Sequence, residues 1–441
     1  MLTLIAIVGV ALLWQVVALR LYRDPLAPLS ILGLSWMLPL SLGWLDLSIY
    51  EAPWAAPTIA AMAWVTASMV GACLLPRLLV GDADSFEPHR AEFAAALAVL
   101  RTRRVRIFLV ALFVVVFACY LYAEFVTSPI GIPALRILAG DRLTGEFHRW
   151  GKETRWAIIT PTLFVLCPVL YLAGRQAESR GWRWLLIGLT LLYPLFGLLK
   201  LSRSDIFVSA LNLGATEYYL RRFAPPRPLE VRRLVATAAA VTVALLAAGV
   251  VLQATLAARL GSRSSNDDYA NAIGFIPRGD NGLYGAAAQA YGYLALPFEN
   301  FRRAFEHTDG GFHPGTSTLR PLFSAAGQGR VADDMLSTIV IPDPVSSAAG
   351  SSTFLTPIYM ELGMAGLLLV PLAYALLVNV LYVRFRSRPS LLTYLAYLNF
   401  LYPWTWLYFN NAFSVLTFYL NAVFILALVW VTLTILPRLR W

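Results

Sequence analysis

The sequence predicts an all-α, polytopic membrane protein. Of its 441 residues, 59% are apolar and only 14% are charged. A soluble domain carries roughly 25% charged residues. The mean hydropathy is +0.65. Apolar stretches of about 20 residues, the length a helix needs to cross a bilayer, recur along the whole chain. The alternating pattern of a membrane barrel is missing.

In chain order, about eleven spans are expected, near 2–19, 27–45, 57–80, 107–126, 156–174, 184–200, 205–220, 234–256, 354–383, 391–408 and 413–436. The first run is followed, not preceded, by its positive charges, Arg20 and Arg23. A cleaved signal peptide has the reverse order, so this run reads as a retained span. The runs 184–200 and 205–220 are short and read equally as one broken element.

Basic residues then set the orientation. Arg20 and Arg23, RTRRVR (101–106), Arg175 with Arg180 and Arg183, RRFAPPRPLEVRR (221–233), RFRSR (384–388), and Arg438 with Arg440 follow alternate spans, always on one side. Arg and Lys collect in cytoplasmic loops. The N-terminus is therefore expected outside and the C-terminus inside. The same loops account for the formal charge of +10 without a nucleic-acid partner.

Two polar intervals fall on the outer side of an otherwise single integral membrane domain, 127–155 and 257–353. The first holds five basic residues, Arg136, Arg142, Arg149, Lys152 and Arg155, against three acids. That balance is unusual for a translocated loop. The second holds seven arginines, nine acids and four tyrosines. Within it, 281–306 reads as helix, with Phe298, Phe301 and Phe305 on one face and Glu299 paired to Arg303 at i,i+4. This fits an amphipathic helix at the membrane interface and, equally, a buried helix of a small external domain. IPDP (341–344) favours extended backbone. The chain then re-enters the membrane, placing Glu361 about two turns below the surface. An ionisable residue at such a depth marks a candidate functional site.

Several chemistries are excluded. Cys73, Cys119 and Cys167 lie in apolar runs, so no disulfide framework or CxxC site is available. His89, His148, His307 and His313 show no metal-ligand spacing. No metal or other cofactor is expected. There is no phosphate-binding glycine loop, dinucleotide fingerprint or GxSxG nucleophile turn.

Four stretches carry a resemblance. LKLSRSDIFVSALNLG (199–214) places a small-Arg-Ser turn before a helix. Arg263 and Gly274 precede the aromatic stretch YGYLALPFENF. IPDP follows. SSTFLTPIYMELGMAG (351–366) carries threonine, tyrosine, acid-x-Gly and x-x-Gly at a helix start, with Glu361 where an Asp is frequent. Together they resemble the Wzy-type O-antigen and oligosaccharide repeat-unit polymerases. The resemblance covers roughly residues 199–366, and the general layout extends it along the chain.

The resemblance implies a fold like the all-helical membrane glycosyltransferases with lipid-linked donors. It implies a multi-pass protein of the bacterial inner membrane, acting at the periplasmic face. Such an enzyme moves a growing glycan from undecaprenyl pyrophosphate onto another lipid-linked repeat unit. Its partners would be those lipid-linked oligosaccharides and the bilayer, with room for a chain-length regulator.

Residue chemistry fits that reaction. A pyrophosphate leaving group needs preorganised cations, and guanidinium groups bind phosphate bidentately. Arg203 and Arg263 are the leading candidates, followed by Arg259, Arg278, Arg136 and Arg142. Each reads alternatively as a snorkelling or loop-stabilising arginine. The acceptor hydroxyl needs a base, for which Glu361, Asp205 and His313 are candidates, with Asp267 and Asp268 behind them. Tyr269 and Tyr291, with Tyr284 and Tyr293, read as sugar-stacking or as interfacial anchors. An O-antigen ligase using the same donor is kept open by His307 and His313. A transporter or flippase of polysaccharide units belongs to a different class, and so does a sensor or scaffold with an external binding domain.

Overall fold

Long apolar runs leave the backbone no partner but itself, so helix is the expected solution. The computed structural model describes residues 2–49, 51–80, 89–126, 132–138, 159–200, 203–224, 271, 273–276, 282–308, 353–408 and 416–438. Among them no strand occurs; a single antiparallel bridge joins Ser48 to Phe275. Among the described residues six helices are long and apolar enough to cross a membrane: Pro28–Leu45, Ala56–Leu75, Arg103–Val126, Arg180–Leu199, Leu355–Ser387 and Phe418–Ile435. The chain is thus an all-helical membrane protein. The expected span 234–256 lies outside the described residues.

The chain divides into two compact units, Met1–Ser85 with Asn266–Ile425, and Phe86–Ser265 with Leu426–Trp441. Unit 1 contains α1 (Leu2–Tyr22), the helical run α2 (Pro28–Leu45) and α3 (Ala56–Val80). It continues with α10 (Gly282–Leu294), α11 (Leu296–His307), α12 (Leu355–Ser387) and α13 (Leu391–Thr405). Unit 2 contains α4 (Arg90–Ala98), α5 (Arg103–Leu121) with its π-turn Tyr122–Val126, α6 (Pro133–Leu138), α7 (Leu163–Gln176), α8 (Arg180–Leu199) and α9 (Arg203–Phe223). The last helix, α14 (Leu416–Trp430), begins in unit 1 and ends in unit 2.

In unit 1, α12 packs along α3, with α2 and α13 beside them. Trp36 of α2 is buried between Phe298 and Phe354, edge-to-face at 5.0 and 5.5 Å. Such pairs contribute about 0.5–1.5 kcal/mol each beyond burial. One end of the unit is tied by buried polar contacts. Tyr382 donates to Asp24 Oδ2 at 2.7 Å, Arg386 donates to the Tyr22 carbonyl at 3.2 Å, and Trp404 donates to the Pro28 carbonyl at 2.9 Å. At the other end, α11 packs where α2 finishes and where α3 and α12 begin.

Two expectations are corrected here. The segment 281–306 is two helices, not one: Ala295 breaks the run, and Pro297, which has no N–H to donate, sits in the first turn of α11. The second is the interfacial reading of α11. Leu296, Phe298, Glu299, Phe301, Arg302 and Ala304 are all buried, so the helix is enclosed and does not lie on a surface.

In unit 2, α7 and α8 form a hairpin against which α5 and α9 pack. Ser179 caps α8 by accepting from the Trp182 amide at 3.2 Å. The runs 184–200 and 205–220 prove to be two separate helices. A Cβ on Gly197 would lie 3.2 Å from Asp205 Cβ. Glycine at that position therefore lets α9 start directly against α8.

Candidate functional site

At that close turn of unit 2, charge is gathered. Lys200, the cap of α8, places Nζ 3.0 Å from Glu124 Oε2 and 3.5 Å from Asp205 Oδ2. Glu124 comes from the π-turn that ends α5, and Asp205 from the first turn of α9. Both carboxylates are buried. The Tyr120 ring lies beneath the ammonium, 6.0 Å from Nζ. Arg203 is the first residue of α9, and the N-terminus of a helix that long favours an anion. Arg136 is half-buried on α6, which packs against α8. Arg203 and Asp205 thus stand together in the first turn of α9. Burial strengthens every charge interaction in such a place relative to water.

Unit 1 holds the second cluster, on α11. Arg302 makes a bidentate pair with Glu299, Nη2 to Oε1 at 2.6 Å and Nε to Oε2 at 2.8 Å. Its Nη1 reaches Glu306 Oε2 at 2.5 Å. Arg303 Nε also donates to Glu299 Oε1, at 2.9 Å, as the i,i+4 spacing predicts. Glu306 Oε1 accepts from the Ala55 amide at 3.0 Å and from Thr58 Oγ1 at 2.7 Å, which caps the start of α3 from another helix. Burial pushes the Glu306 carboxyl upward. The hydrogen bonds from Thr58 and Ala55 and the Arg302 charge outweigh it, so the group sits below the usual carboxylate range.

Glu361 lies in the first turns of α12 and is fully buried. Two residues later the helix is broken. Gly363 has φ 56° and ψ −145°, a conformation open essentially to glycine. Gly366 follows, where a Cβ would meet Leu362 Cβ at 2.7 Å and the Ile358 carbonyl at 2.9 Å. The acid-x-Gly and x-x-Gly pattern of this stretch therefore has a backbone reason: one glycine makes the break and the next leaves room for it. Tyr359 turns toward α11 and donates to the Thr308 carbonyl at 3.1 Å.

The remaining candidates divide as follows. Tyr291 is buried, its ring packed against Phe275 at 5.7 Å and its hydroxyl bonded to Glu51, which leaves no open face for a sugar in this structure. Arg142, Arg259, Arg263, Arg278, Tyr269 and His313 lie outside the described residues. Glu361 and Asp205 belong to different units. Among the described residues no group of His, Cys, Asp or Glu is arranged to hold a metal ion. Sequence reasoning passed over Lys200, Glu124 and Glu51. For Lys200 a signal existed: it is one of two lysines among 35 basic residues and sits beside a helix end. Glu124 and Glu51 gave none.

Comparison of the chain with known protein families, with curated proteins and with solved structures finds no match in any of the three.

Proposed function

We propose that this protein is a membrane glycosyltransferase that polymerises lipid-linked oligosaccharide repeat units, taking its donor from undecaprenyl pyrophosphate at the periplasmic face of a bacterial inner membrane. The observation that carries this reading is the end of unit 2, where Lys200, Arg203 and Asp205 follow one another across the α8–α9 turn. A lipid pyrophosphate must lie at the level of helix ends, where its charge meets cations and a helix N-terminus. In this reading Arg203 contacts the pyrophosphate, Arg136, Arg142, Arg259 and Arg263 are its further clamps, and Asp205 receives the acceptor proton. The orientation follows from the basic loops, with the N-terminus outside.

A deletion strain tests the class. Single-repeat glycan on the lipid core means that a polymerase was lost. Bare core with accumulating lipid-linked polymer means a ligase. Unchanged surface glycan rejects both. Within the polymerase reading, Arg203→Ala abolishes long-chain glycan at unchanged membrane level, and wild-type chain lengths in that strain remove Arg203 from the site.

One observation favours a transporter of polysaccharide units instead. A helix broken at Gly363 beside the buried Glu361 resembles the discontinuous helices of secondary transporters. Its deletion strain shows bare core with no polymer on the outer side.

A further inference from the structure

The loop between α2 and α3 is fastened to the late polar segment by a group that the proposed chemistry does not use. Tyr291 of α10 hydrogen-bonds Glu51, with 2.5 Å from its hydroxyl to each carboxyl oxygen. The Leu47 amide donates to the same hydroxyl at 3.1 Å, and the Ser48 amide donates to Glu51 Oε2 at 2.9 Å. Around this pair the backbones are joined. Ile49 N–H donates to the Gly274 carbonyl at 2.9 Å, Ile276 N–H to the Leu47 carbonyl at 2.7 Å, and Ser48 Oγ to the Ile273 carbonyl at 2.6 Å. Gly274 has φ 59°, the left-handed turn that brings its carbonyl to Ile49. Leu42, Leu45 and Leu47 pack on the buried Ile273, Phe275, Tyr291 and Leu296 beneath.

We propose that Glu51 and Tyr291 form a proton-operated clasp, closed when the Glu51 carboxyl is protonated, that holds residues 273–276 and α10 against the loop joining α2 to α3. Burial pushes the Glu51 carboxyl up to about 7, against the opposing hydrogen bonds from Tyr291 and Ser48, and the nearby charges of Asp46 and Glu299 add to the rise. Of these acids, Asp46 stands on the same loop, while Glu299 stands on α11 and is paired to Arg302 and Arg303. The phenol of Tyr291 is raised far above its usual value, by burial first and by Glu51 second, so it remains neutral.

The direction follows from linkage. Once the clasp opens, the carboxyl returns to its ordinary value of 4.5. Below that pH it is neutral whether the clasp is open or closed, and closure costs nothing in protons. Between 4.5 and about 7 the open form releases its proton first, so each rise in pH weakens closure. Above that range both forms are ionised and the weakening is complete. On the orientation proposed above, the clasp faces the outside and responds to external pH.

Hydrogen exchange of the purified full-length protein reads the clasp directly, through the amides of Leu47, Ile49 and Ile276. Protection factors, corrected for the intrinsic pH dependence of exchange, should fall about 40-fold between pH 5 and pH 7 if opening alone controls exchange. In Glu51→Gln, which is neutral at every pH, they should stay constant. In Tyr291→Phe, protection should be low at both pH values. Peptides of α3 and α12 serve as controls and should not change. Equal protection at pH 5 and pH 7 in the wild type overturns the proposal, and so does a fall in Glu51→Gln as large as the wild type's. The measurement needs no enzymatic activity, so it is independent of the functional reading.

Discussion

In unit 1, Arg302 and Arg303 face Glu299 and Glu306, two cations against two carboxylates, all on one helix. In unit 2, the single Lys200 serves Glu124 and Asp205, which belong to two different helical segments. The first arrangement is balanced within α11 and reaches another helix through Glu306, at the start of α3. The second ties the end of α5 to the α8–α9 turn through one side chain. A balanced set on one helix stiffens that helix. A shared cation makes the packing of the two segments depend on that ammonium group.

Substitutions distinguish the two arrangements, with thermal unfolding in detergent as the measurement. The largest effect is expected for Lys200→Met. It leaves two buried carboxylates without their shared cation, a loss of about 3–5 kcal/mol by analogy with other broken buried pairs. Adding Glu124→Gln should recover part of that loss, because one of the two carboxylates that faced the lysine is then neutral. Wild-type stability in Lys200→Met would remove the lysine from its central place. A smaller loss, about 1–3 kcal/mol, is expected for Gly363→Ala, which forces a side chain into a backbone conformation that only glycine adopts freely. An unchanged melting temperature there would mean that α12 runs unbroken past Glu361. The smallest effect is expected for Thr58→Val, about 1 kcal/mol for one of the hydrogen bonds made to Glu306. A loss as large as that of Lys200→Met would show the unit 1 network to be the more dependent of the two.

Much of the fold was legible. Helix was expected for α1, α2, α3, α5 and α12, because each apolar run is long and only helix satisfies its backbone in lipid. The i,i+4 pair of Glu299 and Arg303 was legible too, because helix geometry fixes that neighbourhood within one element. Other features were not. Phe298 and Phe301 announce an apolar face but do not say whether lipid or protein covers it. Glu299, read only as the partner of Arg303, proved buried in a bidentate pair with Arg302, because a sequence shows charge without showing every partner. The two-helix break at Ala295 was hidden because proline is tolerated in a first turn, so Pro297 alone does not mark where one helix stops. At the candidate site, Arg203 and Asp205 were legible from their place at a helix start. Lys200 and Glu124 were not, because nothing local says which carboxylates a lysine at a helix end will meet.

Helical structure, a place in a membrane and the accumulation of charge between apolar runs can all be read along the chain. Each of these depends on local composition and on a repeat that every residue shares with its neighbours. Which charges meet is set by packing. Glu51 bonds a tyrosine 240 positions away, and Lys200 reaches a glutamate from a different helical segment. Helical periodicity places a side chain on a face, but a hydrogen bond or ion pair is made within a few ångströms, and that distance is set by how the helices pack.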